Sequence, residues 1–374
     1  MILVLRCQLR NLIRALLLTS VVSSYQCFSI DFGVKTGYYY YENENLNEAY
    51  IYLSSDYVYK KGSVKFTSEL NAYYSFDNTE NSYFDIQELS LSKKTDHLFF
   101  KVGAFVETWG VSDSSKILDI FTTNNLSNDL FNSEPVAQYT FKLDWANESF
   151  NTAYYYNPLL VTDRFNPIID TVLDHDNTVN DDSHIIRISS NNLNNLDINF
   201  TYLNGLDRNF IVGFDSSTQS LESRYLRNQL WGLSLVYETA FITKLEFLHD
   251  AQHSNNSALL GFEFNDNWLF KDYNSTFSLE YSYKDKLTGS ISDFFDNDIF
   301  IGNSVLFDNL SELTTGISYD VETGDKIFSL EYQKELNDYF RLSINLKKVQ
   351  QKNANPLFDF EGFSHLTVSI NYDF

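Results

Sequence analysis

The sequence predicts an all-β chain that forms a single transmembrane antiparallel β-barrel of about 18 strands, with about 16 as the alternative. Apolar and polar residues alternate over most of the chain, which is the period of a strand with two unlike faces. Aromatic residues make up 17% of the 374 residues, and such side chains favour strands. No run of roughly 18 apolar residues, the length that a membrane helix needs, follows residue 29.

The first 29 residues have the order of a secretory signal peptide. Three Arg residues form a basic start, residues 15–22 are a short apolar run, and a small, polar stretch leads to a cut before Ile30. The apolar run is too short to span a bilayer, which disfavours the alternative of an uncleaved anchor. The sequence therefore predicts a signal peptide over 1–29 and the barrel over 30–374.

Both cysteines, Cys7 and Cys27, lie inside the predicted signal peptide, so the mature chain has no disulfide or thiolate chemistry. The chain is strongly acidic, with a net charge of −23. That charge disfavours a nucleic-acid partner, which needs basic residues against its phosphates. It suits either a vestibule that attracts cations or outer loops whose charges are solvated.

The last eleven residues show the alternation most clearly. One face carries the apolar residues Leu366, Val368, Ile370, Tyr372 and Phe374. A terminal aromatic on such a strand resembles the signature by which the assembly machinery of bacterial outer-membrane barrels recognises its substrates. Together with the signal peptide, it favours a barrel over a soluble sandwich of the same periodicity. The expected partners are thus outer-membrane lipid and, through Phe374, the assembly machinery.

The same pattern predicts where each strand begins. The expected starts lie near residues 31, 47, 63, 83, 97, 135, 149, 184, 195, 227, 241, 256, 274, 298, 311, 326, 339 and 364. Bacterial barrels alternate short periplasmic turns with longer outer loops. If the last strand runs towards the periplasm, the long segments all fall outside, which favours the larger strand count. These segments are 109–134, 159–183, 205–226, 286–297 and 350–363.

Residues 97–135 carry a motif in addition to the alternation. Its residues are Val102, Gly103, Trp109, Gly110, Asp113 and Asp119. The segment resembles an uncharacterised, porin-like family of bacterial outer-membrane barrels, in which a strand ends in Val-Gly-Arg-x-x-x-x-Trp-Gly before an Asp and Asp-x-x-Asn-Pro-x-Asp. Here Ala104 stands in place of the Arg, and residues 122–125 replace the Asn-Pro step. The resemblance implies an outer-membrane barrel that passes a small or lipidic molecule.

Nine residues are candidates for the lumen or its constriction, because they lie on polar strand faces or in the motif segment. They are Lys65, Glu69, Lys101, Glu107, Trp109, Asp113, Asp119, Glu331 and Arg341. Long outer segments of barrels fold inwards and narrow the lumen. The residues after position 106 therefore belong either to a network that anchors such a loop or to a selectivity constriction.

Other constellations carry little chemistry. His249 and His253 would lie about 13 Å apart on a strand, too far for a shared zinc ion. Residues 174–176 and 181–182 are acidic but do not form a calcium-binding loop, and His365 has no nucleophile motif beside it. We therefore expect no metal, no cofactor and no enzymatic activity.

Two functions remain. The first is a channel or transporter for small or lipidic molecules, because about eighteen strands leave an aqueous bore unless loops fill it. The second is a surface-interaction protein that acts like an adhesin or receptor through its acidic outer segments 159–183 and 205–226. The sequence does not name the solute.

Overall fold

The strands occupy most of the chain in a computed structural model. It describes residues 27–42, 47–115, 117–127, 134–165, 173–174, 176–190, 193–215, 220–265, 273–285, 297–307, 310–352 and 361–373. The strands are β1 (Cys27–Tyr41), β2 (Glu48–Lys61), β3 (Val64–Ser75), β4 (Tyr83–Lys94), β5 (Leu98–Phe105), β6 (Thr123–Asn125), β7 (Glu134–Val136), β8 (Gln138–Ala146), β9 (Phe150–Asn157), β10 (Leu160–Val161), β11 (Leu173–Asp174), β12 (Thr178–Val179), β13 (Ser183–Ser190), β14 (Leu196–Asp215), β15 (Ser220–Glu238), β16 (Ile242–Asp250), β17 (Asn255–Asn265), β18 (Asn274–Lys284), β19 (Asn297–Phe307), β20 (Ser311–Asp320), β21 (Lys326–Glu335), β22 (Phe340–Gln350) and β23 (His365–Asp373). Two short 3₁₀ helices lie at Thr79–Asn81 and Glu361–Phe363. Among the described residues, no helix has the length and apolar character needed to cross a membrane.

Nineteen strands belong to one sheet, and eighteen of them form a closed antiparallel barrel. The barrel closes because β1 pairs with β2 on one side and with β23 on the other. The nineteenth strand, β11, adds to β15 in parallel. Closure gives every spanning strand two hydrogen-bonded neighbours, which is what lets a sheet cross lipid. The predicted fold class and strand number are confirmed.

The apolar face of each spanning strand points outwards. On β23, Leu366, Val368 and Ile370 are exposed, whereas the alternate residues Thr367 and Ser369 are buried. The same division on the other strands produces an outer band of Leu, Val, Ile, Phe, Tyr and Trp side chains. Such a band is what a membrane barrel presents to lipid.

The two ends of the barrel differ in their connections. Tight turns such as the one at residues 62–63 lie at one end, and longer segments lie at the other. β1 begins and β23 ends at the short-turn end, where Gly33 pairs with Asp373. Short turns mark the periplasmic side of bacterial barrels. The orientation therefore agrees with the one that the sequence predicts.

One predicted outer segment was wrong. Residues 205–226 are not a loop, because β14 continues to Asp215 and β15 begins at Ser220 instead of near 227. The pairing of β14 with β15 shifts register between Leu206 and Phe210. The alternation of apolar and polar residues therefore breaks there, and the sequence predicted that the strands end. The two strands instead form a long hairpin.

Several predictions fall outside the described residues. They include the signal peptide up to residue 26, Phe374, His175 and most of the segments 286–297 and 350–363. β1 begins at Cys27, three residues before the expected cut. Signal cleavage and recognition by the assembly machinery stay predictions.

Candidate functional site

The chain between β5 and β6 folds into the barrel. We call residues 106–127 the inner segment. Its Trp109 and Phe121 are buried and pack on Tyr155 of β9, with ring centroids 5.3 and 5.4 Å away. Leu203 and Leu230, from β14 and β15, complete the same cluster. The apolar residues of the inner segment therefore have a core of their own inside the barrel, against the wall from β5 to β16.

Two wall carboxylates hold the inner segment through its backbone. Glu246 of β16 accepts hydrogen bonds from the amides of Val111 and Leu118, one on each oxygen. Glu280 of β18 accepts from the amides of Asp113 and Ser114, both at 2.9 Å. Both carboxylates are almost fully buried. Each uses both of its oxygens, so the inner segment is held at two points along its length.

A lysine of the wall provides a third point of contact with the inner segment. Lys244 of β16 lies 2.8 Å from a carboxylate oxygen of Glu263 and 3.2 Å from one of Asp113. Asp113 thus contacts the wall through both its side chain and its amide. Within the segment, Asp119 accepts hydrogen bonds from the amides of Trp109 and Gly110.

Glu107 ties the start of the inner segment to the wall. It pairs with Lys142 of β8 at 2.6 Å and accepts a hydrogen bond from the Tyr155 hydroxyl at 2.6 Å. The indole N–H of Trp109 points at the same carboxylate, 3.4 Å away. Arg187 of β13 lies over the indole ring, 5.2 Å from its centroid. These contacts favour the anchoring interpretation of Glu107 and Trp109.

Near the end of the inner segment, β6 pairs with β7 in a short hairpin inside the barrel. Gln138, at the start of β8, binds this hairpin to β10, since its amide donates to Thr123 Oγ1 and its oxygen accepts from the Val161 amide. Arg164 pairs with Asp85 of β4 at 2.9 Å. The β6–β7 hairpin is therefore fixed between the wall and the segment that follows β10.

Asp163 lies two residues after the end of β10 and is buried. It accepts hydrogen bonds from the Asn124 amide at 2.6 Å and the Tyr225 hydroxyl at 2.7 Å. Burial raises the pKa of Asp163 to about 7, although both hydrogen bonds act to lower it.

A cavity of about 310 Å³ remains between the β6–β7 hairpin and the opposite wall. Its lining is mainly polar and charged. The residues are Lys35, Tyr39, Tyr83, Asn125, Glu134, Pro135, Glu331, Gln333, Arg341, Ser343, Asn345, His365, Thr367, Ser369 and Asn371. Most belong to β1 and to β21–β23, on the wall that the inner segment leaves uncovered.

The strand register arranges the cavity wall in layers. Lys35, Asn371 and Arg341 are cross-strand neighbours and form the layer nearest the periplasm. Ser369 and Ser343 pair in the next layer, where Gly37 faces Ser369. Tyr39, Thr367, Asn345 and Glu331 form the third layer. His365 lies one layer further out. The second layer has small side chains at Ser343 and Ser369.

Lys35 and Glu134 both face the cavity. Among the residues that the structure describes, neither has an ion pair within 4.0 Å. Lys35 nevertheless lies within electrostatic reach of both Glu134 and Glu331. Glu134 is exposed to the lumen. These two groups are available to a solute.

The nine sequence candidates divide between two places. Glu107, Trp109, Asp113 and Asp119 fasten the inner segment, whereas Glu331 and Arg341 line the cavity. The other three lie on the wall away from the cavity. Lys101 pairs with Glu88 at 3.0 Å, Glu69 stands opposite Asp56 and Glu88, and Lys65 is exposed near the periplasmic end of β3.

Sequence reasoning missed Lys35, Glu134, Asn371 and His365 as cavity residues. Lys35, Asn371 and His365 lie on the polar face of alternating strands, which is the signal that could have found them. Glu134 gave no such signal, because its position depends on how the β6–β7 hairpin folds inside the barrel.

The histidines have ordinary polar contacts. His249 lies 3.0 Å from the Asn256 amide oxygen, and His253 lies 2.8 Å from Asp250. His365 packs between Tyr39 and Tyr41. No group of three or more His, Cys, Asp or Glu residues in the described part of the chain is arranged to hold a metal ion.

Comparison with known proteins gives structural similarity without sequence similarity. No protein-family model matches the chain, and no curated protein matches it either. The resemblance of residues 97–135 to an uncharacterised family therefore stays a prediction.

Solved barrel structures do match. Wzi, an outer-membrane protein involved in group 1 capsule assembly in Escherichia coli and a carbohydrate-binding β-barrel, has a TM-score of 0.57 at 9% identity, over 92% of this chain and 84% of its own. OccAB3 of Acinetobacter baumannii has a TM-score of 0.57 at 11% identity, over 93% and 99%. The chain has the fold of an outer-membrane β-barrel. OccK3 of Pseudomonas aeruginosa matches equally, with a TM-score of 0.57 at 10% identity, over 93% and 95%.

Proposed function

We propose that this protein is a passive outer-membrane channel for small polar solutes. Solutes pass between the β6–β7 hairpin and the wall formed by β1 and β21–β23. One observation carries the proposal. The inner segment is packed and fastened against one side of the barrel, and the opposite side keeps a cavity of about 310 Å³.

The lining favours polar over lipidic solutes. Charged and amide side chains cover both the wall and the hairpin side of the cavity, and the apolar side chains of the inner segment are buried among themselves. A lipid chain would remove water from Lys35, Glu134 and Arg341 without replacing their hydrogen bonds, which is costly. A hydrophilic solute replaces them.

The similarity to Wzi, OccAB3 and OccK3 supports the membrane location, because the shared feature is an outer-membrane barrel fold. Wzi also binds carbohydrate, so an uncharged sugar belongs among the first solutes to be offered to this channel.

The test is single-channel recording of the purified protein in a planar bilayer, with Ser343→Trp as the diagnostic variant. Ser343 is a small residue of the cavity wall, and an indole at this position would narrow the path. Ile344→Trp is the matched control, because Ile344 lies on the opposite, lipid-facing side of β22. We expect steady conductance in the native protein and the control, and a several-fold lower conductance in Ser343→Trp.

A silent native protein would overturn the channel proposal and return attention to the surface-interaction alternative. That alternative is based on two acidic segments. Of these, residues 205–226 belong largely to β14 and β15. Their outer part contains Phe210 and Tyr225, which pack with Phe165. Residues 159–183 then become the segment to delete in a partner-binding assay.

A further inference from the structure

We propose that the channel selects small zwitterionic solutes, namely amino acids and short peptides that carry one ammonium and one carboxylate. The proposal rests on the proposed function, since it assigns the substrate class of the same cavity. Its basis is the separation of opposite charges across that cavity.

The periplasmic layer of the cavity suits a carboxylate. Lys35 and Arg341 both point at the cavity, and Asn371 stands between them as the cross-strand neighbour of each. An Arg guanidinium offers paired N–H donors that match a carboxylate, a Lys ammonium adds a point charge, and an amide adds a neutral donor. Three donors from three adjacent strands therefore converge on one layer.

Carboxylates that suit an ammonium lie at two places around the cavity. Glu331 lies two layers further out, in register with Asn345, whereas Glu134 reaches the cavity from the β6–β7 hairpin, within electrostatic reach of Lys35. Two carboxylates on facing surfaces are acceptors for the three donors of an ammonium group. Asn345 lies four positions after Arg341 on the same strand, so the layer of Arg341 and the layer of Glu331 lie about 13 Å apart along the strand. Long side chains reaching into the cavity shorten the gap between the charges.

Arg341 is partly neutralised by Glu335, 3.6 Å away in the same layer, so the positive charge of the periplasmic layer comes mainly from Lys35. Among the described residues, Lys35 and Glu134 have no ion pair within 4.0 Å, although Lys35 is within electrostatic reach of both Glu134 and Glu331. A solute with a single charge is attracted by one set of these groups and repelled by the other. A zwitterion whose carboxylate meets Lys35 and whose ammonium meets Glu134 or Glu331 is attracted by both sets and carries no net charge.

The size of the cavity agrees with this class. A volume of about 310 Å³ lies at the lower end of the range of small-molecule sites, roughly 300–1,000 Å³. It has room for a solute of amino-acid or dipeptide size with a few waters, and not for an oligosaccharide chain or a folded peptide.

The experiment is a swelling assay with liposomes that contain the full-length folded barrel. Two probes of similar size and zero net charge are compared. One is dialanine, which is a zwitterion, and the other is N-acetyl-alanine methylamide, which has one alanine residue between two amides and no charged group. We expect dialanine to enter about tenfold faster, which is the low end of the enhancement that a charged cleft gives. Arabinose serves as a reference for general permeability.

Two variants test the residues that carry the proposal. Lys35→Met and Glu134→Gln should each reduce the dialanine advantage towards one, when the entry of both probes is expressed relative to arabinose entry through the same variant. Lys65→Met and Glu312→Gln remove the same charges away from the cavity and should keep the advantage. Glu134 is exposed on the hairpin, so its variant remains informative if Lys35→Met fails to fold.

Equal entry of the two probes in the native protein would overturn the zwitterion proposal, as would an advantage that both cavity variants retain. In each case, entry of arabinose would still support the channel function. Failure of all three solutes to enter would overturn the channel function, and the zwitterion proposal with it.

Discussion

Single side chains determine how the inner segment sits in the barrel. Phe121 has no solvent-exposed surface and contacts the rings of Phe105, Trp109 and Tyr155, with centroids 5.3–5.8 Å away. Its backbone oxygen also accepts a hydrogen bond from the buried guanidinium of Arg208 at 3.1 Å. One aromatic residue thus joins the inner segment to β5, β9 and β14.

Replacing Phe121 by Ala should lower the free energy of unfolding by about 3–5 kcal/mol, because it leaves a cavity in a packed cluster. The measurement is urea unfolding in detergent micelles, followed by tryptophan fluorescence. Phe76→Ala is the control, since Phe76 is 57% exposed beyond the end of β3, and it should change stability by less than about 1 kcal/mol. Equal losses in the two variants would contradict the packing of the inner segment.

Asp163 gives a prediction about pH. Its folded-state pKa of about 7 lies above the ordinary value, because the carboxyl is buried. The folded protein therefore binds this proton more tightly than the unfolded chain does. The free energy of unfolding should fall as pH rises from about 4 to about 7, by on the order of 4 kcal/mol at most.

The check is unfolding at several pH values for the native protein and Asp163→Asn. The amide keeps the shape and an acceptor for the Asn124 amide but does not ionise, so the slope between pH 4 and pH 7 should flatten. Asp176→Asn, an exposed acid in the same outer segment, should keep the native slope. An unchanged slope in Asp163→Asn would show that another group is responsible.

At the scale of elements, the alternation of apolar and polar residues predicted the strands of the barrel wall but not the short strands inside the barrel. The sequence placed Leu366 and Val368 on the apolar face of the last strand, and both point outwards. Most predicted strand starts lie within three residues of the observed ones. The pattern works because lipid and lumen impose opposite polarity on neighbouring positions. The main exception is the segment 205–226, where Asp207 and Arg208 are buried charged residues at the irregularity in β14.

The short strands inside the barrel were not predicted. β6 and β7 have three residues each and no apolar face towards lipid, so their sequences show no regular period. Their positions depend on hydrogen bonds with side chains such as Gln138 and Arg164, which lie on other elements. Such contacts exist only after the barrel has closed.

The two carboxylates that hold the inner segment give a prediction about current. Glu246 accepts backbone amides on both oxygens, and so does Glu280. Glutamine has one acceptor oxygen, and its NH₂ group would face an amide donor. The double variant Glu246→Gln/Glu280→Gln should therefore loosen the inner segment and make the channel larger and noisier.

The readout is mean conductance and current noise in a planar bilayer, with Glu238→Gln at the periplasmic end of β15 as control. We expect noise to rise several-fold in the double variant and to stay at the native level in the control. A quiet double variant with native conductance would mean that aromatic packing alone holds the inner segment.

At the scale of the whole molecule, the cavity forms because the barrel closes and brings distant parts of the chain together. Lys35 is near the start of the described chain, Asn371 near its end, and Glu134 on an inner hairpin. β1 and β23 bring the first two together, and the fastened inner segment positions the third. The sequence predicted Glu331 and Arg341 as lumen residues from their strand faces. It did not predict which distant residues would share a cavity.

The path of conduction is the central claim, and cysteine modification during recording tests it most directly. A chain beginning at Ile30 contains no cysteine, so Ser343→Cys introduces one thiol into the cavity wall. A positively charged thiol reagent should reduce the current of a conducting Ser343→Cys channel in discrete steps, and should leave Ile344→Cys unaffected. Unchanged current after complete modification of Ser343→Cys would contradict the account, because ions would then bypass the cavity.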